Sequence, residues 1–195
     1  MRPPMTRNAD EPSLTRRYDR AAIALHWITA LLIVANLTLG LSMVGLPISP
    51  RKLHWYLWHK TIGLTVFLLT SVRLGWRVFH PPPPQVPMPR WQQRATVLSH
   101  AALYALLFLI PLSGYLYSSA TGVQVVWLGL VPLPNLVPKD KALGDALRIV
   151  HVALNSLLAA TVVVHVAAAL KHHYVDRDIV LARMLPLVHP DPTAR

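Results

Sequence analysis

The sequence of 195 residues contains no cysteine. This absence excludes disulfides, iron–sulfur clusters, thiol catalysis and the covalent attachment of a c-type haem through a C-x-x-C-H motif. A haem bound by this chain must therefore be held by axial ligands and packing alone.

Charged residues are also scarce. They make up 14% of the chain, whereas a soluble domain carries about 25%. No Asp, Glu, Lys or Arg occurs in residues 21–50, 95–138 or 149–170. Each of these gaps exceeds the roughly 20 residues that span a bilayer. With 53% hydrophobic residues and a mean hydropathy of +0.40, the composition predicts an integral membrane protein.

The net charge of +11 would indicate a nucleic-acid partner in a soluble protein. In this chain the basic residues flank the apolar runs, where they orient membrane segments, so we expect no nucleic-acid partner. The first apolar run is longer than the roughly 7–15 apolar residues of a signal peptide. We therefore interpret it as a retained first span.

The apolar runs predict an all-α protein, a four-helix membrane bundle. The spans are placed at residues 21–44, 55–78, 96–118 and 147–171. A short loop (45–54), a proline-rich linker (80–89) and a long loop (119–146) connect them. The predicted organisation is a cytoplasmic N-terminal segment (1–20), a four-helix domain (21–174) and a cytoplasmic C-terminal tail (175–195).

The distribution of Lys and Arg predicts the orientation. With both termini on one side, thirteen of these residues lie on that side. The opposite side has six, namely Arg51, Lys52, Lys60, Lys139, Lys141 and Arg148. The positive-inside rule then places both termini in the cytoplasm.

The fourth span carries two histidines, His151 and His165, which are 14 residues apart. At about 100° per residue this spacing places both side chains on one face of a helix, roughly 21 Å apart along its axis. A hydrocarbon core is about 30 Å thick, so one imidazole lies near each side of the membrane. Two imidazoles at two depths suggest two stacked metal centres.

Other spans supply a partner at each depth. His26 begins an outward-running helix, so we pair it with His165, and His59 begins an inward-running helix, so we pair it with His151. Four such ligands are what two six-coordinate haems need. A zinc site is the weaker alternative, because each level offers two imidazoles but no carboxylate or thiolate for a tetrahedral shell. His100 begins the third span and is a fifth candidate ligand on the inner side. His172 lies seven residues after His165, on the same helix face just beyond the membrane.

Arg73 is a candidate partner for a haem propionate. It follows His59 by 14 residues, which places it on about the same helix face at the depth of the inner centre. An ordinary interfacial arginine is the open alternative. Small residues near the histidines, among them Gly40 and Gly63, would admit a flat macrocycle or serve ordinary helix packing.

Four segments carry a family resemblance: ALHWITALLI around His26, LWHKTIGLTVFLLTSVRLGWR around His59, HAALYALLFLIPLSGYLYSSATG around His100, and HVAAALKHHYVDRDIVLARMLP around His165. In this order they resemble the bacterial cytochrome b561 family over about residues 18–185. The resemblance implies a membrane protein with two b haems that passes electrons between a periplasmic reaction and membrane quinone. The haem ligands of the family carry over to His26, His59, His151 and His165.

The family includes a superoxide:ubiquinone oxidoreductase, and related b-type subunits anchor hydrogenases and dehydrogenases. Superoxide is an anion, so the six outer cations would raise its encounter rate, unless they are ordinary loop charges. Ubiquinone as acceptor needs a proton-supplying group near the membrane face, for which His100, His172 and Lys171 are candidates.

The sequence therefore predicts one of two functions. The first is a self-contained oxidoreductase of the bacterial inner membrane that takes electrons from superoxide or another small-molecule donor and reduces ubiquinone. The second is a non-catalytic cytochrome anchor for a partner dehydrogenase or hydrogenase. The compact chain favours the first. A haem-free transporter would require the purified protein to be colourless.

Overall fold

The computed structural model describes residues 17–185. Most of the predicted N-terminal segment (1–20) and the end of the predicted tail (175–195) lie outside this part of the chain. Four long helices form the fold: α1 (Arg20–Val44), α2 (Pro50–Phe79), α3 (Arg90–Ala120) and α4 (Lys141–Lys171). A π-helical turn, His172–Asp176, continues α4.

Side-chain caps mark where three of the helices begin. Asp19 accepts a hydrogen bond from the Ala22 amide, Ser49 from the Lys52 amide, and Asp140 from the Leu143 amide. Such caps satisfy amide groups that have no partner within the helix.

Three helices begin earlier than the hydrophobic pattern predicts. α3 starts at Arg90 rather than at residue 96, because its first turn is polar and basic. α2 starts at Pro50 rather than at residue 55, because proline is well suited to the first turn of a helix. α4 starts at Lys141 rather than at residue 147, because its first two turns carry charge and extend beyond the apolar run. The predicted loops 45–54 and 119–146 are correspondingly shorter in the structure.

Each of the four helices is long and apolar enough to cross a membrane. Large apolar side chains on their outer faces are exposed, as a lipid-facing surface requires; examples are Leu31, Val34, Leu41, Val72, Val163 and Val164. The predicted all-α bundle of four membrane spans is confirmed.

The helices pack in two pairs. α1 lies against α2 and α3 against α4, and contacts between α2 and α3 join the pairs. The apolar core, formed by Val66, Leu106, Leu107, Ile110 and Leu158, lies at this junction. α4 makes no comparably close contact with α1 or α2, which leaves a seam between them.

The loop between α3 and α4 contains a small β-hairpin, β1 (Val126–Trp127) and β2 (Val131–Pro132). Its turn places Leu128 and Gly129 at φ values of 55° and 70°. Two hydrogen bonds fasten the hairpin to α2: the Trp127 indole donates to Thr65 Oγ1 at 3.2 Å, and the Leu128 amide donates to Thr61 Oγ1 at 3.3 Å. The hairpin thus covers the outer end of the bundle.

At the inner end, the chain after the π-helical turn folds back against the bundle. The Trp27 indole donates to the Met184 carbonyl at 2.7 Å, and Arg183 Nη1 donates to the Pro84 carbonyl at 2.7 Å. Arg183 is buried, and burial lowers the pKa of its guanidinium. These contacts join the tail to α1 and to the extended linker 80–89.

Candidate functional site

Two pairs of histidines face each other across the seam beside α4. His26 of α1 lies opposite His165, with ring centroids 6.4 Å apart and ring planes at 64°. His59 of α2 lies opposite His151, with centroids 6.2 Å apart and planes at 86°. The structure therefore brings together the same two pairs that the depth argument selected.

The spacing within each pair fits one metal ion between two imidazoles. Given a metal–nitrogen bond of about 2.0–2.1 Å, two imidazoles on opposite sides of one ion have their centroids about 6.3 Å apart. Both observed separations are close to this value. A direct hydrogen bond between the rings would bring them closer.

The outer rings are held by their Nδ1 atoms. Nδ1 of His59 lies 3.3 Å from the Asn36 carbonyl, and Nδ1 of His151 lies 3.1 Å from the Ile110 carbonyl and 3.0 Å from the Ser113 hydroxyl. A hydrogen bond on one ring nitrogen fixes the tautomer and the orientation of a ligating histidine. Nε2 is then the nitrogen of each ring that is left for a metal.

Two glycines make room for the outer rings. A Cβ added to Gly40 would lie 3.2 Å from Cε1 of His59, and one added to Gly114 would lie 2.9 Å from Cε1 of His151. Real Cβ contacts below 3.0 Å essentially do not occur. Glycine is therefore the only residue type that fits at position 114 without displacing the His151 ring.

The outer pair opens onto a cavity of about 750 Å³, a volume within the usual range of ligand pockets. Its lining is mostly apolar and includes Phe67, Val66 and Leu158 from the bundle, together with Val125 and Leu133 from the outer loop. Two of these residues belong to the core, so the core forms the inner wall of the cavity. A large flat apolar group with a metal at its centre fits these surroundings.

At the inner level three imidazoles lie close together. His100 of α3 has its ring centroid 5.5 Å from that of His165, and Nδ1 of His26 is buried without a hydrogen-bond partner among the described residues. The Arg73 guanidinium lies 5.5 Å from the Tyr104 ring centroid. It is near enough to His26 and His165 to act on both electrostatically.

Asp19 links the start of α1 to the inner end of α2. Its carboxylate accepts hydrogen bonds of 3.1 Å from the Trp76 indole, whose ring stacks on His80. Burial alone would raise the pKa of the Asp19 carboxyl, but the hydrogen bonds from the Ala22 amide and the Trp76 indole hold this pKa below its usual value. The contact joins the start of α1 to α2 near the inner level.

His172 lies in a cluster with two carboxylates at the inner end of α4. Its Nδ1 is 2.6 Å from Asp178 Oδ2 and 3.2 Å from Asp176 Oδ2, while Lys171 Nζ is 2.6 Å from the same Asp176 oxygen. His172 is buried. In the described part of the chain this is the one group of three His or Asp side chains whose ligand atoms lie within 4.8 Å of one another.

The six outer cations do not share one environment. Arg51, Lys139 and Arg148 are exposed, Lys52 is half-buried, and Lys141 is paired with Asp145 at 2.7 Å. Lys60 instead lines the outer cavity, where its Nζ donates to Ser118 Oγ at 2.6 Å. Five of the six expected cations therefore lie outside the cavity lining, whereas Lys60 lies within it.

Sequence reasoning missed Gly114 and Asp178. Gly114 follows Pro111 in the quoted segment around His100, but nothing in the sequence relates it to His151. Asp178 follows Arg177, whose φ of 51° reverses the chain and returns the carboxylate to His172. A helical pattern carries no signal for either contact.

The profile of the family described as prokaryotic cytochrome b561 matches residues 17–187. The chain is 36% identical over 177 residues to "Cytochrome b561 homolog 2" of Escherichia coli, covering 87% of this chain and 91% of that protein. It is 32% identical to "Cytochrome b561 homolog 1" of the same organism, covering 87% and 97%. It is 27% identical to "Probable superoxide oxidase CybB" of Yersinia pestis, covering 88% and 97%.

Proposed function

We propose that this chain, which belongs to the prokaryotic cytochrome b561 family, oxidises superoxide at the outer face of the bacterial inner membrane and reduces ubiquinone at the inner face. Membership makes it a bacterial membrane cytochrome that binds b-type haem and transfers electrons across the membrane. The proposal adds the number of haems, their ligands, the donor and the acceptor. The two histidine pairs at two depths, 6.2 and 6.4 Å across, are the observation that carries it.

In the proposed arrangement His59 and His151 hold the outer haem and His26 and His165 the inner one. Haem b held at these two levels would supply one-electron redox chemistry at two depths of the membrane. The chain contributes fixed rings: carbonyls of α1 and α3 orient the outer imidazoles, and Gly40 and Gly114 let the rings approach neighbouring helices. Arg73 is the proposed partner of an inner haem propionate, since a guanidinium pairs well with carboxylates.

The outer surface suits a small anionic donor. Arg51, Lys52, Lys139 and Arg148 are cations without a carboxylate partner within the described residues, and Lys141 is offset by Asp145. A cationic rim raises the local concentration of an anion and its association rate, and this effect weakens as salt is added. The name of the Yersinia pestis relative supports superoxide as the donor.

The inner end suits the reduction of a quinone, which takes up protons. His172 is buried and its Nδ1 is hydrogen-bonded to Asp178 at 2.6 Å, a carboxylate–imidazole pair that can relay a proton. Lys171 is tied to Asp176, which favours His172 over Lys171 as the proton source. His100, beside His165, is the second candidate.

The orientation completes the proposal. The excess of Lys and Arg on the side of the termini favours a cytoplasmic location for that side, and in the proposed orientation the outer cavity faces the periplasm. The His172–Asp178 pair then lies at the cytoplasmic face, where protons can be taken up.

The test uses the purified protein with its haem. Superoxide is delivered in pulses with a soluble ubiquinone analogue present, and superoxide loss and quinol formation are both recorded. We expect superoxide to disappear faster than by spontaneous dismutation, quinol to form, and the rate to fall with ionic strength. A haem-loaded protein with no activity above background would contradict the proposal and leave the role of an anchor subunit for a partner dehydrogenase.

A further inference from the structure

Lys60 brings a positive charge into the outer cavity. It follows His59 in α2 and is half-buried, with its side chain in the cavity lining. Its Nζ donates to Ser118 Oγ at 2.6 Å, and Ser118 Oγ in turn donates to the Val123 carbonyl at 2.5 Å. The ammonium group is thus directed at the boundary between α3 and the outer loop.

Nothing in the described part of the protein neutralises this charge. The two carboxylates of the outer side are used elsewhere, because Asp140 caps α4 and Asp145 pairs with Lys141. The one hydrogen bond of Lys60 is to a neutral hydroxyl, although an ammonium group has three donors. A charge beside mostly apolar surfaces without a charged partner is costly, so an anion bound in the cavity would be stabilised by Lys60.

We propose that Lys60 is the charge partner of a carboxylate of the outer haem, and that it raises the reduction potential of that haem. The inference rests on the proposed haem site at His59 and His151. His59 and Lys60 both line the outer cavity, so a macrocycle held there by His59 would share the cavity with the ammonium group. With Arg73 at the inner level, α2 supplies one half-buried cation to each haem.

The sign of the effect follows from electrostatics. Reduction adds an electron, so a nearby positive charge favours the reduced form and a free carboxylate favours the oxidised form. Replacing Lys60 by a neutral residue removes the cation and also leaves the carboxylate unneutralised. This loss of one positive charge lowers the potential of the outer haem.

The experiment is a potentiometric titration of the purified, haem-loaded protein, with haem quantified in each variant. The outer haem is identified as the one lost in His59→Ala. We expect Lys60→Gln to lower the equilibrium constant for one-electron reduction of the outer haem about tenfold, which corresponds to a potential lower by about 59 mV. The inner haem should be unchanged, Lys60→Arg should stay near wild type, and Lys139→Gln, which removes an exposed outer charge, should leave both potentials unchanged.

Each further outcome decides the question. Loss of the outer haem in Lys60→Gln but not in Lys60→Arg supports the proposal, since the charge then anchors the haem. Loss in both variants, or two unshifted potentials in Lys60→Gln, overturns it. Unshifted potentials with a much slower superoxide reaction would mean that Lys60 serves the anionic donor instead. If His59→Ala retains two haems, the haem site itself is misassigned, which is a separate failure.

Discussion

Replacing Gly114 by alanine should remove the outer haem and leave the inner one. The new Cβ would lie 2.9 Å from Cε1 and 3.2 Å from Nδ1 of His151. Carbon atoms attract each other best at about 3.5–4.0 Å, so the imidazole must retreat by roughly half an ångström. That movement takes Nε2 away from the position that faces His59.

The energies indicate that the helix survives the change. The displaced ring loses its contacts with the Ile110 carbonyl and the Ser113 hydroxyl, at about 0.5–1.5 kcal/mol for each hydrogen bond. Alanine in place of glycine stabilises the helix by about 0.8–1.0 kcal/mol, because alanine has the higher helix propensity. The two bonds together contribute about 1–3 kcal/mol, of which the gain in helix propensity offsets about 1 kcal/mol. Folding therefore loses at most about 2 kcal/mol, and the main damage is to ligation of the metal.

The assay is the ratio of haem to protein after purification. We expect about one haem per chain in Gly114→Ala and two in the wild type. Gly40→Ala, whose Cβ would lie 3.2 Å from Cε1 of His59, should show an intermediate loss. Gly75→Ala is the matched control because nothing lies within 4 Å of its added Cβ. Two haems and an unchanged spectrum in Gly114→Ala would refute the assigned position of His151.

Further predictions concern the inner level and the outer surface. Arg73→Gln should lower the potential of the inner haem by roughly tens of millivolts, because a nearby cation is lost; an unshifted potential would remove the propionate role. Asp178→Asn should slow quinone reduction several-fold while dithionite still reduces both haems at once, since His172 loses its carboxylate partner; equal quinone rates would exclude His172 as the proton source. Neutralising Lys139 and Arg148 together should slow the superoxide reaction at low ionic strength and have little effect at high salt; a loss that is independent of salt would point to a different cause.

The paired histidines could be predicted because a helix in a membrane has few degrees of freedom. A fixed rise per residue and a fixed span give each side chain a depth, and side chains at equal depth on adjacent helices can meet. His26 with His165 and His59 with His151 follow from this rule, and the structure places their centroids at 6.4 and 6.2 Å. Their role as haem ligands stays a proposal.

Features outside the apolar runs could not be predicted in the same way. The first turns of α2 and α4 are polar, so they were missed by a method that follows hydrophobic runs, although Ser49 and Asp140 cap them. The location of Lys60 depends on where the outer loop lies on α2, which hydrogen bonds to Thr61 and Thr65 determine. The sequence pattern does not indicate those contacts. Because of them, Lys60 lies in the cavity lining rather than among the surface charges where it was expected.

Haem content in His59→Ala and His165→Ala tests the central claim most directly. Both variants and the wild type are purified, and haem per chain is quantified together with the reduced-minus-oxidised spectrum. Two stacked haems, each held by one histidine pair, predict two haems in the wild type and about one in each variant, with different spectra for the haem that remains. Unchanged haem content in both variants would contradict the account.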